Sequence, residues 1–274
     1  MSAASNKVAP RRRWRPSPLV AASFAAHAAA AGAVVLRPGL WPWALGGLVA
    51  DHALLTAAGL WPRSSLLGAN WTRLPPPAAG RREVAITIDD GPDPDVTPGL
   101  LEILEQRRVR ATFFCIGERV AANPELARDI VRRGHAIENH SLRHLYRFPL
   151  LGPRAMADEI SSAQRIIESA VGAAPRFFRA PAGLRNPFLD PILARLGLQL
   201  ASWTRRGFDT VTERPGVVLD RLTRRLEPGD ILLLHDGNAA RMPNGRPVTL
   251  EVLPALLDAI AAASLTPVAL RGVC

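Results

Sequence analysis

Two long apolar runs open the chain. Residues 19–36 are almost wholly apolar, and residues 40–60 form a second such run that Asp51 and His52 interrupt near its middle. Each run is long enough to cross a bilayer as a helix, because about 20 residues span the hydrocarbon core. The pattern therefore predicts an N-terminal hydrophobic hairpin with helices at about 18–36 and 40–60.

After residue 82 the pattern changes to short apolar segments that alternate with amphipathic ones. Strands are predicted near 84–88, 111–116, 135–139, 198–203, 230–235 and 265–270. Helices are predicted over Pro98–Arg108, Pro124–Arg133, Pro153–Val171, Pro187–Leu196, Pro215–Leu226 and Leu250–Ala263. Strand–helix alternation indicates an α/β fold with a parallel sheet, either a barrel or an open sheet. We therefore divide the chain at residue 82, into a membrane region with its linker (1–82) and an α/β domain (83–274).

Charge is distributed unequally between these two parts. The chain has a formal net charge of +10, but residues 1–82 hold ten Lys/Arg against one acidic residue, while the remainder holds 24 against 23. The α/β domain is thus balanced, which argues against a nucleic-acid partner.

The basic residues also favour a membrane orientation. They flank the two apolar runs, and only Arg37 lies between the runs. By the positive-inside rule, both ends of the hairpin face the cytoplasm, which predicts an inner-membrane protein with its α/β domain on the cytoplasmic face. The alternative is a signal peptide or single anchor that exports the domain, because Asp51 makes a second span costly. The flanking residues are Lys7, Arg11, Arg12, Arg13 and Arg15 before the runs, and Arg63, Arg73, Arg81 and Arg82 after them.

Two adjacent carboxylates follow the first predicted strand of the domain. Asp89 and Asp90 end the run Val84–Ile88, and Gly91 and Pro92 then make a turn. Neighbouring side chains at a strand end point in different directions, so one carboxylate can bind a cation while the other serves as a general base.

A pair of histidines supplies further ligand candidates. His140 and His144 are four residues apart, so they share one face if this stretch forms a helical turn, a spacing used to hold Zn²⁺. A catalytic metal needs a third protein ligand, and Asp90 is the candidate.

Five segments, taken in order, resemble the motifs of the polysaccharide deacetylases, also called carbohydrate esterase family four or NodB-type deacetylases. The resemblance extends over about residues 82–270. It implies an irregular (β/α) barrel of seven or eight strands. The segments are Thr87–Pro92, His140–His144, Arg179–Gly183, Trp203–Thr210 and Leu233–Asp236.

The resemblance also implies roles for individual residues. Asp89 is the general base and Arg179 pairs with it, while His235 is the general acid and Asp209 tunes it. One divalent metal ion, Zn²⁺ or alternatively Co²⁺ or another first-row ion, is bound by three ligands, and further residues contact the substrate. The metal ligands are Asp90, His140 and His144, and the substrate residues are Pro181, Gly183, Leu233 and Trp203.

The chain departs from the family pattern at three positions. Ile88 replaces an aromatic residue, and Thr210 stands where a Trp usually follows the fourth-motif Asp, which weakens the assignment of Asp209. Gly183 replaces a frequent Tyr, and we expect its backbone N–H to face a developing oxyanion.

The predicted function is a metal-dependent hydrolase that removes an N-acyl group, typically acetyl, from an amino sugar in a polysaccharide or a lipid-linked glycan. The alternative is a non-catalytic, membrane-attached glycan-binding or assembly protein that keeps the fold. A protein released from catalysis has no reason to retain the base, the acid, three ligands and the orienting arginine together.

Overall fold

The computed structural model describes residues 13–273. Lys7, Arg11 and Arg12 of the predicted basic flank, and the terminal residue Cys274, lie outside this part of the chain.

The N-terminal part is a helical hairpin, as the apolar runs predict. Helix α1 spans Pro18–Leu36 and helix α2 spans Trp41–Leu60, joined by a 3-10 turn at Pro38–Leu40. The Ser17 hydroxyl caps α1 by accepting a hydrogen bond from the N–H of Val20 (3.3 Å).

The two hairpin helices satisfy the length and composition criteria for membrane spans, although two such helices alone are weak support for a membrane location. Only 11% and 17% of their most apolar windows are buried within the protein. Large apolar side chains therefore face outward, which argues against buried helices of a soluble domain. Those more than half exposed include Phe24, Val35, Leu36, Trp43 and Val49.

The second part is built on a parallel sheet of eight short strands. Seven of them lie in the order β5-β4-β3-β2-β1-β7-β6, and β8 pairs with the start of β1. The family-based prediction of a barrel-like α/β fold with seven or eight strands is thus confirmed. The strands are β1 (Glu83–Asp89), β2 (Thr112–Cys115), β3 (Ala136–Asn139), β4 (Phe177–Phe178), β5 (Gln199–Leu200), β6 (Arg205–Arg206), β7 (Ile231–His235) and β8 (Thr266–Val268).

The helices agree with their predicted positions to within a few residues, and α7 has the predicted bounds. Helices α3 and α5 were not predicted, because five or six residues are too short to show a helical period. The helices are α3 (Pro76–Gly80), α4 (Thr97–Gln106), α5 (Gly117–Ala122), α6 (Pro124–Arg132), α7 (Pro153–Val171), α8 (Leu189–Leu196), α9 (Pro215–Thr223) and α10 (Val248–Ala262).

Residues 71–74, which we call the strap, pair with β5 at one end of the strand order and with the chain just before β7. The N–H of Trp71 donates to the carbonyl of Leu200 (2.9 Å), and the N–H of Ser202 donates back to Trp71 (2.9 Å). On the other side, the N–H of Leu74 donates to Gly229 (2.8 Å), just before β7. The strap therefore bridges from β5 to β7 and occupies a place in the barrel wall, although it precedes the predicted domain boundary.

The base of the hairpin is fixed to the barrel by hydrogen bonds. Trp14 Nε1 donates to Asp190 (2.9 Å), and the hydroxyl of Ser17 donates to the carbonyl of Leu66 (2.6 Å). The N–H of Arg185 donates to the carbonyl of Gly59 near the end of α2 (3.0 Å). The hairpin thus meets the barrel close to Arg185, which follows the third motif.

The central strands bury their apolar side chains fully against the helices. Ile88 packs there with no exposed surface, so its departure from the family's aromatic residue changes only the packing. Because the strands are parallel, their carboxyl ends lie at the same edge, and Asp89 and His235 are direct neighbours across β1 and β7.

Candidate active site

The two adjacent carboxylates at the end of β1 have different partners. Asp89 completes the strand, and its Oδ1 accepts a hydrogen bond from Arg179 Nη1 (2.6 Å). Asp90 has a φ of 76°, which turns its side chain away from that of Asp89. Its Oδ1 lies 3.2 Å from His140 Nε2 and 3.3 Å from His144 Nε2. The nearest partner of Asp89 is therefore an arginine and those of Asp90 are two histidines, while Asp89 Oδ2 also lies 3.7 Å from His140 Nε2.

Asp90, His140 and His144 form a cluster whose ligand atoms fit one divalent cation. A tetrahedral Zn²⁺ with bonds of about 2.0–2.1 Å holds its ligand atoms about 3.3–3.4 Å apart, close to the separations found here. Asp90 Oδ1 is buried and has no hydrogen-bond partner among the described residues. His140 Nδ1 lies 2.8 Å from the carbonyl of Arg179, and donation there leaves the Nε2 lone pair directed at the cluster.

The backbone route to His144 differs from the predicted helical turn. Residues 140–147 are not helical, and Ser141 and His144 have positive φ values of 65° and 52°. The hydroxyl of Ser141 accepts a hydrogen bond from the N–H of His144 (3.0 Å), which holds the loop in place. The helix-face argument was therefore wrong locally, and the loop after β3 brings the two rings together instead.

The charge states of Asp90 and His144 suit metal binding. Burial acts to raise the pKa of Asp90, but the adjacent His140 and the surrounding histidines hold that pKa well below its usual range. Burial and the neighbouring His140 lower the pKa of His144. An ionised Asp90 and a neutral His144 each present a lone pair to a cation. Burial acts to lower the pKa of His140, but the Asp89 and Asp90 carboxylates outweigh it and raise that pKa, so a cation competes with a proton at this ligand.

Arg179 is held rigidly beside Asp89. Its guanidinium is fully buried, and Nη1 also donates to the hydroxyl of Thr87 (2.9 Å), while Nη2 donates to the carbonyl of Ser202 (2.6 Å). The plane stacks 4.1 Å from the centre of the Phe114 ring. Thr87 was not predicted as a site residue, but it lies two residues before Asp89 and so shares its face of the strand.

His235 and Asp209 form a buried pair on the opposite side. His235 Nδ1 lies 2.8 Å from Asp209 Oδ1, and Asp209 Oδ2 accepts from the N–H of His235 (2.7 Å) and the hydroxyl of Thr249 (3.1 Å). Burial acts to lower the pKa of His235, but the Asp209 carboxylate outweighs it and the pKa rises to about 9. Asp209 therefore contacts His235 in the way the fourth motif implied, despite Thr210.

The metal-ligand candidates, Asp89 and His235 line one cavity of about 120 Å³, while Arg179 and Asp209 contact Asp89 and His235 from behind its wall. Leu233 and Trp203 line it as predicted, whereas Pro181 is buried beside it and begins a 3-10 turn rather than lining it. The lining is completed by Tyr146, Ala182, Gly183, Arg206, Thr210 and Asn238.

Gly183 contributes shape rather than its N–H. That N–H donates to the carbonyl of Ala180 (2.8 Å), so the predicted role toward an oxyanion is not supported. The φ of Gly183 is +75°, and a Cβ there would lie 2.6 Å from Pro62 Cβ and from Trp203 Cη2. Only glycine fits, and Pro62, two residues after α2, packs directly behind the cavity wall.

Asp236 and Asn238, which follow His235 along the chain, also lie near Asp90 and were not predicted as site residues. Asn238 Nδ2 donates to Asp90 Oδ2 (3.0 Å). Asp236 is fully buried, accepts from the hydroxyl of Thr97 (2.6 Å), and burial raises its pKa to about 7. Asp236 ends the fifth motif and Asn238 follows it by two residues, which was the available signal, but which atoms they contact depends on the fold of that loop.

Comparisons with known proteins agree with this geometry. A family model described as polysaccharide deacetylase matches residues 77–201. A chitooligosaccharide deacetylase from Bradyrhizobium sp. (strain ANU 289) is 41% identical over 58% of this chain and 73% of its own length. The chain belongs to the polysaccharide deacetylase family. A second member, the peptidoglycan-N-acetylglucosamine deacetylase of Bacillus cereus, is 35% identical over 64% of this chain and 79% of its own length.

Solved structures of this family share the fold. A family 4 carbohydrate esterase from Streptomyces lividans, in complex with acetate, superposes with a TM-score of 0.61 at 33% identity, over 68% of this chain and 91% of that one. A family 4 pseudoenzyme from Bacillus anthracis gives a TM-score of 0.67 at 26% identity, over 75% and 68%. The predicted family and hydrolase class are confirmed. The pseudoenzyme has the same fold, so the fold alone does not establish activity.

Proposed function

We propose that this polysaccharide deacetylase is a metal-dependent enzyme that hydrolyses the N-acetyl group of an N-acetylglucosamine-type residue. The observation that carries the proposal is one cavity lined by a His–His–Asp cluster, by Asp89 and by His235, with Arg179 and Asp209 hydrogen-bonded to the latter two. The similar proteins named as deacetylases of chitooligosaccharide and of peptidoglycan N-acetylglucosamine support the choice of substrate class.

In this proposal Asp90, His140 and His144 hold the metal ion, and Zn²⁺ suits the donor set. When bound, such an ion supplies Lewis-acid polarisation for an acyl carbonyl, which is otherwise a poor electrophile. Asp89 accepts the proton of the attacking water, and Arg179 orients the carboxylate for this transfer.

His235 completes the reaction as the proton donor. With Nδ1–H held by Asp209, the charged ring presents Nε2–H to the nitrogen of the departing amine. Asp89 and His235 are paired across β1 and β7. The residue that accepts the proton of water therefore lies next to the residue that donates a proton to the amine. Leu233 and Trp203 give the acetyl methyl group an apolar wall.

The non-catalytic alternative rests on the pseudoenzyme among the structural relatives, a mutant of which has restored enzymatic activity. Against it stands the retention in this chain of every group that the reaction needs. Release of acetate from N-acetylglucosamine oligomers by the full-length protein tests the choice. Asp89→Asn should abolish most of this release, whereas Asp95→Asn, a matched change at an exposed carboxylate in the next loop, should not. No acetate release above background by the wild type would favour the binding protein.

We further propose that the enzyme acts on a substrate presented at the membrane, including a lipid-linked amino sugar. A groove of about 610 Å³, the hairpin groove, runs between the two hairpin helices and the barrel. Its walls are mostly apolar, which suits a lipid chain. The lining includes Trp14, Phe24, Leu55 and Leu60 on the hairpin and Leu150, Arg185 and Phe188 on the barrel.

Arg185 links this groove to the catalytic cavity. It lies two residues after Gly183, so their Cα atoms are at most about 7 Å apart, roughly the length of one sugar ring. Its guanidinium is buried, Nε has no hydrogen-bond partner within the described chain, and burial lowers its pKa only to about 10. It therefore remains charged at neutral pH and suits a phosphate between sugar and lipid.

The substrate proposal is tested by comparing kcat/KM for a prenyl-phosphate-linked N-acetylhexosamine with that for a soluble oligomer. Phe188→Ala should lower kcat/KM for the lipid-linked substrate alone, whereas Val211→Ala, at an exposed apolar residue outside the groove, should change neither. Equal effects on both substrates would contradict a lipid-binding groove.

The cytoplasmic orientation remains our proposal as well, with an exported, anchored domain as its alternative. A reporter fused after Arg82 tests it. Activity of an export-dependent reporter only would support the anchored form.

A further inference from the structure

We propose that the hairpin carries a second divalent-metal site, formed by His27 of α1 with Asp51 and His52 of α2. One ligand atom from each residue lies within 4.8 Å of the other two. His27 Nε2 and His52 Nε2 are 3.3 Å apart, within the spacing of about 3.3–3.4 Å that a tetrahedral Zn²⁺ imposes on two nitrogens. The proposal is independent of the catalytic function.

The surroundings of His27 prepare it as a ligand. His27 Nδ1 lies 2.8 Å from the carbonyl of Ser23, one turn earlier in α1. Donation of Nδ1–H to this carbonyl fixes the ring and leaves Nε2 as the lone-pair nitrogen, the arrangement typical of metal-binding histidines. The same relation holds between His140 Nδ1 and the carbonyl of Arg179 in the catalytic cluster.

Asp51 is oriented in a similar way. The hydroxyl of Ser23 donates to Asp51 Oδ2 (2.7 Å), and His27 Nδ1 is 3.9 Å from the same oxygen. Ser23 thus contacts both ligand residues, one through its carbonyl and one through its hydroxyl. These contacts connect α1 to α2 at mid-length, where both sequences are otherwise apolar.

The position of the cluster calls for a ligand. Ionisable side chains near the middle of an apolar helix pair are costly unless they are paired or bind something. His27 and His52 also line the hairpin groove, which gives an ion a path to the site. Two imidazoles and one carboxylate suit Zn²⁺, Co²⁺ or another first-row ion rather than Mg²⁺ or Ca²⁺. Such an ion would connect the two helices and fix the hairpin.

The test uses a variant without the two catalytic histidine ligands and measures metal binding to the remaining hairpin site. The untagged, full-length His140→Ala/His144→Ala variant in detergent micelles is titrated with Co²⁺, and visible d–d absorption reports tetrahedral N/O coordination. We expect one Co²⁺ per chain in this variant and two in the wild type. Adding His27→Ala or His52→Ala should abolish the remaining site, whereas Thr56→Ala, which alters the same groove without removing a ligand, should retain it.

The 3.3 Å contact between His27 and His52 could instead be a hydrogen bond between two neutral imidazoles. Such a bond predicts no Co²⁺ absorption in the His140→Ala/His144→Ala variant, and that result overturns the proposal. Co²⁺ binding that survives His27→Ala overturns it too. Should His27→Ala fail to fold, Asp51→Asn keeps the shape of the side chain and the hydrogen bond from Ser23, and should weaken Co²⁺ binding at least about tenfold. Unchanged affinity in Asp51→Asn contradicts the site.

Discussion

The molecule holds two clusters with the same three donors, two histidines and one aspartate, in very different surroundings. In the barrel, Asp90, His140 and His144 are largely buried and share a cavity with Asp89 and His235. In the hairpin, His27 and His52 are exposed at the side of a helix pair, and they line a different cavity from Asp89 and His235. The donor set decides what can bind, but the neighbouring groups decide whether a reaction follows.

The two clusters also differ in how the chain assembles them. The barrel ligands come from the ends of two parallel strands and the following loops, so residues 50 positions apart meet at one edge. The hairpin ligands come from two helices that run back along each other after a short turn. The end of a parallel sheet leaves room for a substrate beside the ligands. In a helix pair, a bound ion would mainly link the two helices.

The largest expected effect separates the clusters directly. His140→Ala should remove the barrel metal and reduce acetate release to the background rate, because a ligand and its contact with Asp90 are both lost. His27→Ala should leave turnover of a soluble oligomer within about twofold, since it lies far from the chemistry. Metal content and turnover are measured on the same preparations. Full metal content in a His140→Ala/His144→Ala/His27→Ala variant would show that neither cluster binds.

The next effect separates the two neighbouring carboxylates. Asp89→Asn keeps the shape and the cluster of Asp90 but removes the proton acceptor, so turnover should fall about 10²- to 10⁴-fold while the metal remains. Turnover and metal stoichiometry together report the result. Loss of the metal in Asp89→Asn would make Asp89 a ligand and reverse the assignment of the pair.

His235→Ala should produce a comparable loss on an amide substrate. The loss should be much smaller on an activated acetyl ester, whose leaving group departs without a proton. The measurement is the ratio of the two rates in the variant against the wild type. Equal losses on both substrates would exclude His235 as the acid for the leaving group.

A pH profile examines the support that Asp209 gives to His235. Because the pKa of His235 is raised to about 9, its charged form is present below that pH and is lost as the pH rises through it. The alkaline limb of kcat should therefore lie near pH 9. Asp209→Asn removes the carboxylate that raises the pKa, and should move this limb down by at least about one unit. An unmoved limb would assign it to another group.

The smallest effect concerns the contact between the hairpin and the cavity wall. Gly183→Ala forces a side chain into the space filled by Pro62 and Trp203 at a positive φ, and should cost about 1–3 kcal/mol of stability. Thermal unfolding measures the loss. Gly172→Ala has a similar φ of 73° with open space around it, and isolates the backbone contribution from the clash.

Sequence reasoning succeeded where chemistry and local pattern agree. Strand β1 and helix α7 were predicted within a residue or two, and Asp89, His235 and the three metal-ligand candidates line one cavity. Strand β5 has only two residues but was predicted as part of the longer segment 198–203. Strands β4 and β6 were missed because they exist through their neighbours, as in the pairing of Phe178 with Asn139.

Other misses reflect contacts that only the folded chain creates. The approach of His144 to His140 was expected from a helical turn, but a loop with two positive φ values achieves it. Asp51 and His52 were noticed as an interruption of an apolar run, whereas His27 became meaningful only when α1 packed beside α2. Spacing along a sequence cannot report which residue of one helix faces another.

The strap limits where the hairpin could be cut from the barrel. Trp71 hydrogen-bonds to β5, and Leu74 hydrogen-bonds to the chain before β7, so this stretch acts as a further piece of the wall. A protease cut between residues 74 and 83 would detach part of the barrel along with the hairpin. A cut between residues 63 and 70 would leave the wall intact but separate Pro62, at the back of the cavity, from the barrel chain. Removal of the hairpin is therefore coupled to the shape of the catalytic pocket.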